Sequence, residues 1–195
     1  MSFFRNIASF YYQFRLKHLG ENSNIDLRAN IEGYLKNISL GNNVVIGKNA
    51  TLHCDEPTAG IHVGNNTTIC PSAMILTYKG NIKIGNYCSV NPFCVLYGLG
   101  GLIIGDHVRI ATQTVIVPAN HVFENRDIPI ARQGLTKQGI VIEDDVWVGA
   151  GVKILDGCVI GKGSVLGAGT VLTKSVEPYS VVAGVPGRII RRRGE

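Results

Sequence analysis

The sequence predicts an all-β fold: a parallel β-helix of about six triangular coils, with a short N-terminal helix and one long loop between coils four and five. Three observations lead there. Aliphatic residues recur every six positions, a small or medium residue follows most of them by four, and every break in the repeat comes after three hexads. A fixed short period marks stacked repeats, in which each unit buries its apolar face only against its neighbours.

Ile142, Val148, Ile154, Ile160, Leu166 and Leu172 run without a gap, and the same spacing returns in threes. These are Leu40, Ile46, Leu52; Val63, Ile69, Ile75; Ile84, Val90, Leu96; and Ile104, Ile110, Ile116. With 56 Ile, Leu or Val among 195 residues, chance would give the hits that test the period roughly once in ten million. Val and Ile, at 20 and 22 residues, also suit strands better than helices.

The residue four places on is usually small or medium, as at Val44, Ala50, Thr67, Cys88, Cys94, Thr114, Cys158 and Ser164, and is expected to pack inward at a bend. Position two is Gly in eight of the eighteen hexads, among them Gly41, Gly47, Gly85 and Gly161, and is expected to be where the backbone turns. Each group of three hexads makes one closed coil. The excess residues between groups, five, three, two and twenty in number, therefore all leave from one corner of a triangular prism. The long excursion covers about residues 121–140.

Composition excludes other classes. At 45% hydrophobic and 17% charged residues the chain is not disordered. No apolar run reaches the roughly 20 residues of a spanning helix and no cleavable signal is visible, so the reading is cytoplasmic. Five Cys without a CxxC pair speak against a disulfide framework or a zinc knuckle. The net charge of +5, much of it at the chain ends, suits local anion contacts rather than a nucleic-acid groove. Residues 1–24 read as a helical cap, 25–185 as the β-helix and 186–195 as a basic tail. The cap carries Phe3, Phe4, Ile7, Phe10, Tyr11 and Phe14 at helical spacing beside Arg5, Arg15 and Lys17, so contact with a membrane at its inner face is an alternative to simple capping.

The repeat, the segment from Ile142 to Lys174 and the ending VAGVPGRI from Val182 to Ile189 resemble the hexapeptide-repeat acetyltransferases, nearest to the galactoside and maltose type and to the surface-polysaccharide O-acetyltransferases. The resemblance implies a left-handed parallel β-helix, which composition does not show, since the usual crossover preference is right-handed. It also implies acetyl-CoA as co-substrate, a homotrimer with active sites at subunit interfaces, and a saccharide acceptor. By position it makes His121 the general base, puts Asn91 beside the acceptor hydroxyl and gives the Ala150 amide to the oxyanion. Trp147, Ala150, Ala168, Thr173 and Lys174 would contact the coenzyme, with Arg188 and Arg191 near its phosphates.

The residues themselves add several readings. His18, His53, His62 and His107 show no spacing that converges on a metal, and none is expected. There is no GxSxG elbow, and a nucleophilic cysteine is not expected. The Gly161–Gly169 run is GxGxxxG, with no helix after it to make a dinucleotide site. Ala168 lies eighteen residues after Ala150, so the two stack one coil apart and leave a strip for a pantetheine arm. Asp55, Tyr78 and Tyr97 should line the excursion edge and meet the acceptor. In this register Asn91 and Trp147 lie near the corner after the first hexad and His121 at the corner after the third. One prism would then not close the site alone. O-transfer to a sugar hydroxyl is the leading function; N-transfer to an amino-sugar nucleotide and a noncatalytic scaffold are the alternatives.

Overall fold

The computed structural model describes residues 2–195, with side chains from Ile7 onward. A helix, α1 (Ser2–Gln13), is followed by seven stacked coils whose short strands form three parallel faces. Face one begins with β1 (His18–Leu19), face two with β2 (Asn24–Ile25) and face three with β3 (Asn30–Gly33). Each later coil adds one strand to each face. The architecture is the parallel β-helix expected, consistent with the left-handed form. It has one coil more than the six read from the hexads, because Leu19, Ile25 and Ile31 continue the period upstream and pair in register with Leu40, Ile46 and Leu52. The first coil therefore opens at His18, inside the stretch read as the cap. The side chains of Phe3, Phe4 and Arg5 lie outside the described residues.

All eighteen aliphatic residues of the hexads are at most 1% exposed and stack in register, as in the face-one column Leu40, Val63, Ile84, Ile104, Ile142 and Ile160. A second column on face one, Ile38, Ile61, Ile82, Leu102 and Ile140, is buried as well, because those strands run two residues longer. The small fourth-position residues all point inward. Where they are polar, the next coil satisfies them, except at Thr170 in the last coil. Thr67 Oγ1 donates to Gly85 O at 2.9 Å, Cys88 Sγ to Gly105 O at 3.1 Å and Thr114 Oγ1 to Gly149 O at 3.1 Å.

The glycines have a different reason from the one expected. The left-handed residue of each corner stands two places later and in most coils is not Gly: Asn43 (φ 55°), Asn66 (φ 54°), Tyr87 (φ 56°), Phe93 (φ 62°) and His107 (φ 61°). Position two is Gly because the following coil leaves no room. A Cβ on Gly64 would stand 2.7 Å from the carbonyl carbon and oxygen of Gly85. At the first corner, between faces one and two, a side-chain ladder ties the coils together. Asn42, Asn65, Asn86, Asp106 and Asp144 each accept, through Oδ1, the amide of the equivalent residue one coil earlier, at 2.7–2.8 Å.

The interruptions leave from the third corner, between faces three and one, as expected. The largest covers 118–139 and includes a two-stranded hairpin, Asn120–His121 against Leu135–Thr136. At the far end of the stack the chain adds Ser180–Ala183 to face two and folds Arg188–Arg192 back antiparallel to it. No described helix is long and apolar enough to cross a membrane.

Replacing Gly64 with Ala is expected to destabilise the protein by about 1–3 kcal/mol through overpacking against backbone that has no alternative position. Urea unfolding checks this.

Candidate active site

The second corner, between faces two and three, lacks the side-chain ladder of the first. Its third hexad position is Pro71, Pro92, Thr112, Ala150 and Ala168 in successive coils. The two alanines stack, with the Gly169 amide donating to Ala150 O at 2.8 Å. Neither alanine amide donates to any acceptor among the described residues. Two main-chain N–H groups one coil apart are thus open beside a strip of small residues, as donors to a carbonyl or oxyanion would need to be.

Trp147 stands on the outer face of face two, paired in register with Arg109 and Val165, and is 57% exposed. The structure thus places Trp147 between the first and second corners and Asn91 at the start of the second. Both differ from the register read in sequence: Trp147 is the outward residue before the inward Val148, and Asn91 follows the inward Val90 at the end of its face-two strand. Asn91 is also engaged at both ends. Its Nδ2 donates to Ile110 O at 2.9 Å, and its Oδ1 accepts the Cys70 thiol at 3.6 Å. One Nδ2 proton and a second lone pair on Oδ1 are left for a substrate.

His121 sits on the excursion hairpin at the third corner, exposed, and its imidazole makes no hydrogen bond among the described residues. The hairpin itself is held firmly. The Asp156 carboxylate accepts Thr136 Oγ1 at 2.9 Å, the Gln138 amide at 2.9 Å and the Gly139 amide at 3.0 Å. Farther out, Gln133 closes the loop on Asn125 in both directions, at 3.0 and 2.7 Å. Phe123, Ile128, Ile130 and Leu135 remain exposed on this loop. Thr173 and Lys174 also lie at the third corner, just past the final face-three strand. All of face three therefore separates Ala150 and Ala168 from His121, Thr173 and Lys174.

The arginines of the tail divide cleanly. Arg192 is paired with Glu177 and Arg193 with Asp145 at 2.8 Å. Arg188 and Arg191 bond only to main-chain carbonyls, and Lys174 makes no bond among the described residues. The three cations named from sequence thus make no ion pair with an acidic side chain among the described residues.

At the third corner of the earlier coils, Tyr78 and Tyr97 stack edge to face with centroids 4.5 Å apart. Tyr78 (φ 43°) and Lys79 (φ 69°) are consecutive left-handed residues, a turn that normally takes Asn-Gly. Asp55 holds it: its Oδ1 accepts Thr77 Oγ1 at 2.5 Å and the Lys79 amide at 2.9 Å. Asp55 is therefore committed to the turn that presents Tyr78. Partial burial favours its neutral form, but the Thr77 and Lys79 bonds outweigh that and hold its carboxyl below the usual carboxylate value. The cysteines offer no nucleophile. Burial pushes Cys94 up to about 11 and raises Cys54, Cys70, Cys88 and Cys158 in the same direction, so all are thiols near neutrality.

Two hexapeptide models match the chain, the bacterial transferase hexapeptide of six repeats over residues 139–174 and the hexapeptide repeat of succinyl-transferase over 37–70. A candidate colanic acid biosynthesis acetyltransferase of Escherichia coli is 32% identical over 136 residues, 70% of this chain and 71% of the relative. The chain belongs to the hexapeptide-repeat transferase family. The galactoside O-acetyltransferase of Escherichia coli is 35% identical over 135 residues, 66% of this hexapeptide-repeat transferase and 62% of the relative. The chain spans about half to three-fifths of the length of several relatives it matches. An N-acyltransferase from Bacillus cereus, solved with dTDP-4-amino-4,6-dideoxyglucose and coenzyme A, superimposes with a TM-score of 0.64 at 24% identity, covering 96% of this chain and 90% of that one. It shows the shared fold.

The Asp55 bonds carry a pH dependence. Its folded carboxyl ionises at lower pH than the unfolded one, so its contribution is complete above the unfolded value near 4 and is lost as pH falls through the folded value. In Asp55→Asn the loss of thermal stability on acidification through that range is expected to be smaller than in the parent chain, as read by melting temperature against pH.

Proposed function

We propose that the chain is an acetyl-CoA-dependent O-acetyltransferase, moving an acetyl group from the thioester to a sugar hydroxyl in surface-polysaccharide biosynthesis: O-antigen, capsule or exopolysaccharide. The observation that carries this reading is the pair of open amides at Ala150 and Ala168 on a small-residue strip, with unpaired cations at Lys174, Arg188 and Arg191 available for coenzyme phosphates. Trp147 would wall the thioester end, and Thr173 would contact the coenzyme beside Lys174. Five free cysteines suit a reducing cytoplasm.

The step needs no covalent enzyme intermediate and no metal. The sugar oxygen attacks the acetyl carbonyl carbon while the His121 imidazole takes the hydroxyl proton. The carbonyl oxygen becomes an oxyanion held by the Ala150 N–H. When the tetrahedral centre collapses the C–S bond breaks, and the imidazolium returns its proton to the coenzyme thiolate. Tyr78 and Tyr97, presented by the Asp55-braced turn, would flank the acceptor. Asn91 would contribute through the free lone pair of Oδ1.

One prism does not bring these groups together, because a face of four or five strand residues spans roughly 15 Å. Three prisms side by side would set the third corner of one against the second corner and face two of its neighbour, a contact that closes after three copies. The exposed Phe123, Ile128, Ile130 and Leu135 on the His121 loop would lie in that contact. A second reading, N-transfer to an amino-sugar nucleotide, is favoured by the Bacillus cereus structure, which matches over more of the chain than the O-acetyltransferase relatives do.

Coenzyme release from acetyl-CoA, screened against free sugars, sugar nucleotides and oligosaccharides, tests the function and separates the two readings. His121→Ala is expected to lower turnover by about two to four orders of magnitude with little change in acetyl-CoA affinity. Turnover near that of the parent chain would exclude the base. Mixing inactive His121→Ala chains with inactive Trp147→Ala chains is expected to restore activity after subunit exchange. No recovery in fully exchanged mixtures would reject the shared site.

A further inference from the structure

Helix α1 has two apolar sides. Ala8 and Tyr12 pack on the first coil, and the Ser9 hydroxyl accepts the Ile25 amide at 3.1 Å while donating to Ser23 O. The other side carries Ile7, Phe10, Tyr11 and Phe14, spaced i, i+3, i+4 and i+7 and 46, 65, 50 and 66% exposed. The Phe10 and Phe14 rings meet edge to face at 5.3 Å. Capping explains the first side and leaves the second without a partner.

Basic groups border this stripe. The Arg15 guanidinium lies 4.8 Å over the Tyr11 ring, and Lys36 Nζ donates to Phe14 O at 2.8 Å. Lys17 then opens a groove of about 430 Å³ on the outside of face one, where Ser39, His62 and Lys83 follow one another in register. Asn37 lines both this groove and the neighbouring one formed by Phe14, Arg15, Tyr34 and Lys36, so stripe and row are one continuous surface. Arg15, Lys17, Lys36 and Lys83 make no ion pair among the described residues. Burial, together with Lys83, His18 and Lys17, holds His62 below its ordinary value, which marks the positive field of the row.

We propose that this surface docks the protein on an anionic lipid bilayer, with the aromatic stripe at the boundary of headgroups and acyl chains and the basic row against headgroup phosphates. Charge argues against a second copy as the occupant. A twofold contact through this patch would set Arg15, Lys17 and Lys83 against their own counterparts. In the trimer proposed above, the three prisms present this end together, and three weak anchors act as one multivalent one.

Sedimentation of the full chain with vesicles tests this. Binding is expected to phosphatidylcholine vesicles containing about a quarter phosphatidylglycerol, and to be at least tenfold weaker to pure phosphatidylcholine. Phe10→Ser/Phe14→Ser should lower partitioning at least tenfold. Lys17→Ala and Lys83→Ala should each lower it about fivefold, the effect of roughly 1 kcal/mol per basic residue. Unchanged melting temperatures and unchanged acetyl-CoA turnover in vesicle-free solution keep this result distinct from failure of the proposed function. No binding to the anionic vesicles, or equal binding by the Phe variant, would overturn the proposal. So would binding of inorganic pyrophosphate without binding to vesicles, or self-association that the Phe variant abolishes while vesicles stay unbound.

Discussion

Each coil of this protein is completed by the coil that follows it. A two-residue strand makes few contacts of its own, and its amides, inward hydroxyls and corner side chains find partners one layer on. Thr67 reaches Gly85 O, and the Asn42 amide reaches Asn65. The same dependence sets the glycines, since Gly64 is bare because Gly85 lies directly above it. Stability is thus a sum of layer-to-layer terms, and the two ends of the stack are where the rule must be broken. At one end α1 covers the first coil. At the other, Ser180–Ala183 and the antiparallel Arg188–Arg192 close face two only, and Thr170 Oγ1, for which no further coil supplies a carbonyl, is left buried without a partner.

The candidate site uses a lapse in the same rule. At the first corner an Asn or Asp side chain caps the amide of the coil before it, five times in succession. At the second corner Ala168 offers no side chain to cap the Ala150 amide, nor Gly184 one to cap that of Ala168, and both amides stay open. The lack of a capping side chain there is a loss to the scaffold and a gain to a ligand that brings its own carbonyl. The excursions follow a related logic. Insertions that leave from one corner do not disturb the register of the faces, so the third corner can carry Tyr78, Tyr97 and His121 on loops while the core columns run on unbroken.

The sequence made the core legible because burial here has a strict period, and all eighteen aliphatics it singled out are in the columns. The first coil was harder to read, since Leu19, Ile25 and Ile31 adjoin an aromatic-rich helical pattern that draws the eye to a cap. The corners misled for a physical reason. Gly invites a left-handed assignment, yet here Asn43, Tyr87 and Phe93 take that conformation while Gly64 answers to a clash in the next layer. The candidate site was legible as residue types and not as engagements. Nothing in the sequence showed that Asn91 is bonded at both ends, that Asp55 braces the Tyr78 turn, or that Arg192 and Arg193 are ion-paired while Arg188 and Arg191 are not. Those facts depend on partners nineteen to twenty-four residues away for Asn91 and Asp55, and on Glu177 and Asp145 for the arginines.

A prism that stacks so regularly has no interior in which to build an active site, since columns of Ile, Leu and Val fill its axis. Chemistry is confined to outer faces and corners, which are convex and wet. A convex corner does not exclude water from a thioester or hold two substrates in line. In the trimer proposed above, a groove between corners of neighbouring prisms would do both, and would form without any change to the coils. The loop that carries His121 fits that requirement. It is pinned at its base by Asp156, clasped by Gln133 and tipped with exposed Phe123, Ile128 and Ile130, so that in the proposed trimer it would meet a neighbour already ordered and with apolar surface to bury.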